Sequence, residues 1–138
     1  MKRRKSERGA TLVEAALTLL LFFWLILGIW NFGRVYHVYQ IATNAAREGA
    51  RFSAAPDPAT GTLPSVTDVQ NRVQFYLTLG SVPVSTDNIS VTQTTTATVN
   101  SVPITFTTVH VTAPFEFHGL PFGPINVNTE ARMRNETN

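Results

Sequence analysis

Residues 10–30, reading ATLVEAALTLLLFFWLILGIW, constrain this chain more than any other stretch, because they contain no proline and a single ionisable group, Glu14. As a helix rising about 1.5 Å per residue, the run matches the ~30 Å hydrocarbon core of a bilayer. A chain of 138 residues cannot build a core that wraps such a helix on all sides. A secretory signal has a shorter apolar core and a small-x-small exit. Here the exit carries Trp30 and Phe32. The run therefore reads as a single-pass membrane anchor. Before it, residues 1–9 hold Lys2, Arg3, Arg4, Lys5 and Arg8 against Glu7 alone. By the positive-inside rule this basic arm stays in the cytoplasm and sends the rest of the chain across. Trp24, Trp30, Tyr36 and Tyr39 suit the far interface.

The helical pattern continues past the membrane. No proline occurs before Pro56, and residues 31–54 place Phe32, Val35 or Tyr36, Tyr39, Ala42, Ala46, Gly49 and Phe52 at spacings of three and four. The spacing predicts one long helix from about Ala10 to Ala54, transmembrane first and amphipathic after. Gly28 and Gly33 are positions where it could bend. Residues 55–138 then form a small extracytoplasmic domain. Pro56, Pro58, Gly61 and Pro64 end the first helix. Ser65 with Asp68 resembles a capping box for a second helix along Val66, Val69, Val73, Tyr76 and Leu77, which Gly80 would terminate.

From Val82 the apolar period changes to two, and Thr, Val and Ile dominate. A turn is expected at Asn100-Ser101. The shift from Ile104 and Phe106 to Val109 and Val111 suggests a bulge or twist near Thr107-Thr108. The last strand alternates Ile125, Val127, Thr129, Ala131 and Met133 with polar neighbours. The expected fold is α+β: a long N-terminal helix and a short second helix packed on an antiparallel sheet of about three strands.

Little in this domain carries chemistry. With no cysteine, thiol catalysis and cysteine-based metal centres are excluded. His37 sits among polar residues of the long helix. His110, Glu116 and His118 fall within nine residues but lack zinc-enzyme spacing, and no phosphate-binding or nucleophile motif occurs. Asn88-Ile89-Ser90 and Asn135-Glu136-Thr137 match a glycosylation pattern that arises often by chance. The formal net charge is +2, and beyond the basic arm the chain is near neutral, so no nucleic-acid footprint exists. We expect no enzyme, no cofactor, no metal and no small-molecule substrate.

Glu14 is the exception. A carboxylate at the centre of a span costs about 2.5–3.5 kcal/mol, and less near an edge. It either snorkels toward the cytoplasmic interface or has a cationic partner. The sequence RGATLVEAAL, the apolar run, FGR at residues 32–34 and NAAREGAR at residues 44–51 together resemble the TadE-like family, minor pilins or pseudopilins of the tight-adherence system that assembles Flp-type type IV pili. The resemblance rests on Arg8, Gly9, Ala10, Val13, Glu14, Ala16, Phe32, Gly33, Arg34, Asn44, Ala45, Ala46, Arg47, Glu48, Gly49, Ala50 and Arg51. It implies cutting between Gly9 and Ala10 by a prepilin peptidase, with Glu14 neutralising the new ammonium of a neighbouring subunit. It also implies residence in the bacterial inner membrane and partnership with other minor pilins or pilus assembly subunits. Residues 44–51 would dock either the sheet or a sister subunit. Many members carry a proline where this chain has residues 18–21. Ala15 follows Glu14, where major Flp pilins have tyrosine. The rival readings are a membrane-tethered binding or enzymatic domain on an uncleaved anchor, and an envelope structural protein unrelated to pili.

Overall fold

The computed structural model describes residues 3–57, 60–99 and 102–135. Helix α1 spans Arg3–Ala54 without interruption, 52 residues and about 78 Å at ~1.5 Å each. Leu, Ala, Arg and Glu favour it throughout, and Pro56 stops it. Neither Gly28 nor Gly33 breaks it. Helix α2 is Val66–Leu79, and strands β1 (Ile89–Val99), β2 (Val102–Phe115) and β3 (Ile125–Arg134) follow. They form one antiparallel sheet in the order β1-β2-β3. The α+β arrangement is the one the sequence predicts. The turn expected at Asn100-Ser101 lies outside the described residues.

The core lies between one face of this sheet and the two helices. Val69, Val73 and Leu77 of α2 meet Val109, Val111 and Phe115 of β2 and Val127 and Ala131 of β3. The fully buried residues that helix α1 gives this layer are small, Ala42, Ala45, Ala46, Gly49 and Ala50, with Val35, Val38, Ile41 and Phe52 packed at its margin. Small side chains let its backbone come close to α2 and the sheet, so the valines opposite fill the space. Each such valine removes roughly 1.5–3 kcal/mol worth of apolar surface from water.

The buried stripe on α1 differs from the one the sequence suggests. It runs through Asn31, Val35, Val38, Ala42, Ala45, Ala46 and Gly49, whereas Phe32, Tyr36 and Tyr39 point outward. Hydrophobic bulk misleads here. The small residues, not the bulky ones, are those turned to the domain.

The irregularity expected near Thr107 exists, but on the other strand. Register shifts between Thr92 and Thr95 of β1, so that Gln93 and Thr94 oppose Thr107 of β2. Strand β2 itself keeps one parity, with Thr107, Val109, Val111, Ala113 and Phe115 all inward. Ile104 and Phe106 lie on the outer face, where the Arg132 guanidinium stacks 4.4 Å from the Phe106 ring. The bulge side chain is used. Gln93 donates to Ser53 Oγ (3.2 Å) and to the Pro64 carbonyl (2.6 Å). Ser53 in turn donates to Thr107 Oγ1 (3.3 Å), which donates to Asn135 Oδ1 (2.7 Å). Asn135 is buried and its amide donates to the Gln93 carbonyl, so it is not presented as a sugar acceptor.

Ser65 caps α2 as expected: the Asp68 amide donates to its Oγ at 3.2 Å and Oγ donates to the Asp68 carboxylate at 2.6 Å. The other end needs a correction. Gly80 has an ordinary φ of −81°, and it is Ser81 that takes the left-handed position at φ 59°. The Val82 amide reaches the Leu77 carbonyl (2.9 Å) and the Ser81 amide that of Thr78 (3.0 Å), a Schellman closure with serine where glycine is usual. Gly80 is needed for a different reason. A Cβ there would stand 2.5 Å from Cγ2 of Ile41. Ser81→Gly is therefore expected to raise stability by about 0.5–1 kcal/mol, the left-handed cost less the added unfolded-state entropy. Gly80→Ala is expected to lower it, and thermal unfolding in detergent micelles reads both signs.

Candidate functional site

The membrane half of α1 is bare. None of its most apolar window is covered by the rest of the chain. Gly9, Ala10 and Glu14 are all exposed on this free cylinder, and helical hydrogen bonding runs through the Gly9–Ala10 bond. Glycine is about 1 kcal/mol less favourable than alanine inside a helix, which makes residue 9 a natural place to unwind. The Glu14 carbonyl accepts from Thr18 Oγ1 at 2.8 Å. Around its carboxylate lie Thr11, Ala15, Thr18 and Leu19. Three of these four are short, so a second helix can approach the carboxylate closely.

Residues 44–51 split between two faces. Ala45, Ala46, Gly49 and Ala50 are buried against the domain's own α2 and sheet. A Cβ on Gly49 would overlap Cγ2 of Val73, so the two helices approach too closely here for any larger residue. Glu48 borders the contact. Its Oε1 receives Arg72 Nη2 and the Tyr76 hydroxyl, both at 3.4 Å, while Arg72 also lies over the rings of Tyr76 (5.2 Å) and Phe52 (5.7 Å). The pair is partly exposed and contributes at most about 1 kcal/mol. Asn44, Arg47 and Arg51 face outward on the opposite side.

A third cluster, centred on Asn31, has no counterpart in the sequence reading. Asn31 is only 1% exposed although it directly follows the apolar run. Its Nδ2 donates to the Leu27 carbonyl (2.9 Å) and to the His118 carbonyl (3.1 Å), and its Oδ1 accepts from the His118 amide (3.1 Å). One side-chain amide thus pairs with the backbone of the β2–β3 loop as a neighbouring strand would. One helical turn on, Arg34 Nη1 lies 2.6 Å from His118 Nδ1. A guanidinium has only N–H groups to offer, so Nδ1 accepts. The same guanidinium sits 5.3 Å from the Trp30 ring and 5.0 Å from the Phe115 ring. The available signal was phase: stepping back from Ala42 by helical turns leads through Val38 and Val35 to Asn31.

The histidines stay apart. His110 lies mid-strand on β2, opposite Ser90 and Glu130, whereas His118 lies beyond the strand end against Arg34. Among the described residues no group of three His, Asp or Glu side chains is placed to hold a metal ion. A cleft of about 630 Å³ opens at the far end of α1 between Phe52 and Leu63, but its Asp68 is occupied in capping α2.

The bare apolar half and the docked NAAREGAR half thus belong to one uninterrupted helix. The model of the TadE-like protein family matches residues 9–51. The match begins at the glycine before the apolar run and ends in the last turn of α1. Every candidate residue named above on α1 falls within this TadE-like segment, Asn31 and Arg34 included. The match covers about a third of the chain and joins a likeness to a pilus-associated family with a candidate membrane helix. No curated protein and no solved structure matches the chain.

Proposed function

We propose that this chain is a TadE-like minor pilin or pseudopilin of a Flp-type pilus system, anchored in the bacterial inner membrane with its N-terminus in the cytoplasm and its α+β domain outside. The observation that carries this reading is the family match from Gly9 to Arg51 along one helix whose apolar half the domain leaves uncovered. The basic arm supports the orientation. Residues 1–9 serve as leader, residues 10–30 as span, residues 31–54 as the continuing helix and residues 55–138 as the exported domain. A prepilin peptidase cuts after Gly9, freeing an ammonium on Ala10. Glu14, on a helix face of short side chains, then supplies the charge that a neighbouring subunit's Ala10 ammonium needs within lipid. Asn44, Arg47 and Arg51 form the outward polar face through which sister subunits make contact, while Ala45, Ala46 and Gly49 hold the domain to its own helix.

Two results test this. Protein purified from native membranes is expected to begin at Ala10 by N-terminal sequencing and intact mass; a chain that retains residues 1–9 in cells containing the peptidase would falsify the processing step and favour a tethered domain on an uncleaved anchor. Glu14→Ala is expected to leave membrane insertion and domain folding unchanged while recruitment into the pilus complex, read by co-purification, drops at least about tenfold, as loss of a charge pair worth ~1.4 kcal/mol or more requires. Normal piliation in that variant would return Glu14 to an ordinary interfacial carboxylate.

A further inference from the structure

The β2–β3 loop lies lower along α1 than a domain standing clear of a bilayer should reach. Between Glu14 and Arg34 no residue of α1 is charged, and that interval is about 30 Å long, one hydrocarbon thickness. Phe115, at the end of β2, is level with Arg34. The chain then continues toward the membrane: His118 is bonded to Asn31, and a Cβ on Gly119 would stand 3.6 Å from Cδ2 of Leu27. Leu27 is two turns, about 10 Å, on the membrane side of Arg34.

The composition of this loop fits that depth. Residues 117–129 contain no Asp, Glu, Lys or Arg. Phe122 is 63% exposed, and Ile125 and Leu120 are partly so. Phe117 stacks edge-on against both Phe115 and Phe122 and braces the tip from behind. Backbone polar groups are costly where water is scarce. Pro121 and Pro124 have no N–H, and Asn31 satisfies both the N–H and the C=O of His118. The left-handed backbone at Gly119, φ 72°, turns the loop beside Leu27.

We propose that residues 117–125 form a second membrane contact, with Leu120 and Phe122 seated among lipids at the boundary of headgroups and acyl chains on the domain's side of the bilayer. The occupant of this exposed apolar tip is lipid, because the tip is continuous with the span and stands at its depth. The contact rests on the reading of residues 10–30 as a span. It gives the domain two points of attachment to the membrane, so it cannot swing freely on its helix.

The chain contains no cysteine, so single-cysteine variants can be labelled with a nitroxide in the full protein. Phe122→Cys, Leu120→Cys, Leu20→Cys and Thr96→Cys are reconstituted in vesicles of phosphatidylcholine and phosphatidylglycerol. Relaxation by oxygen, which concentrates in lipid, is compared with relaxation by a water-soluble nickel complex. Labels at positions 122 and 120 are expected to favour oxygen several-fold over nickel, as at position 20, with the reverse at position 96 on the far end of β1. Leu120→Cys leaves the Phe117–Phe122 ring pair intact, so agreement between the two tip labels excludes a local distortion. Water-like behaviour at both tip positions with a lipid-like position 20 overturns the proposal and spares the anchor. Water-like behaviour at position 20 overturns the span and the proposal with it. Protection of the tip that vanishes when the protein is diluted in lipid makes a second copy the occupant, and also overturns it.

Discussion

Gly49→Val is expected to cost the domain about 3 kcal/mol, the upper range for overpacking a well-filled core. The first carbon added at residue 49 already overlaps Cγ2 of Val73, and behind it Val109 Cγ1 is 3.6 Å away. Val73 is fully buried on α2 and cannot retreat. Its β-branched side chain also has one strongly preferred rotamer in a helix. The milder Gly49→Ala separates two opposed effects. Alanine gains about 1 kcal/mol of helix propensity over glycine, against an overpacking cost of ~2 kcal/mol, so a net loss of about 1 kcal/mol is expected. Val73→Ala should rescue it. In thermal unfolding of the four proteins of that cycle in micelles, the double variant is expected to be about 2 kcal/mol better than additivity, the whole overpacking cost. Additive losses would mean that Gly49 and Val73 are not in close approach.

Asn31→Leu is expected to release the β2–β3 loop while leaving the sheet folded. Leucine has nearly the shape of asparagine but neither donor nor acceptor, so the His118 N–H and C=O lose their partner. Each such group costs about 1–3 kcal/mol if it stays buried. His118 is exposed enough for the loop to move away and hydrate instead. The loss therefore appears as local opening. Amide exchange at His118 and Gly119 should accelerate about tenfold or more, for ~1.4 kcal/mol or more of lost local stability. Exchange at Val109 and Val111 in the middle of β2 should change little. Uniform acceleration across both segments would show that Asn31 supports the whole domain rather than the loop.

Strand period, the cap at Ser65 and the end of α1 at Ala54 were legible in the sequence because local rules govern them. The start of α1 at Arg3 rather than Ala10 was not. The face of α1 was legible only in part. Ala42, Ala46, Gly49 and Val35 (the alternative to Tyr36) do face the domain, whereas choosing Phe32, Tyr36 and Tyr39 assumes that apolar bulk means domain-facing. The same bias concealed Asn31, whose polarity reads as an interfacial residue until the backbone of His118 is seen beside it. Ser81 was missed because glycine is the expected left-handed residue and Gly80 stands next to it. Glycine is required there by the proximity of Ile41, a contact 39 positions away that no local pattern records. The bulge left a trace opposite its true position: Thr107 faces inward, where Ser53 and Asn135 give its hydroxyl partners.

The unbroken course of α1 fixes how its apolar half is turned relative to the domain. Asn31 and the Ala45–Gly49 contact both grip the domain from one side of the helix, and no hinge separates them. Each residue turns a helix by about 100°, so the azimuth of the domain around the span is set by residue count alone. Counted back from Asn31, Glu14 points about 100° away from the domain's side, toward an open flank. Deleting one residue between the two grips would put them out of phase. Lengthening the span by one would swing the carboxylate by more than a quarter turn relative to everything outside the membrane.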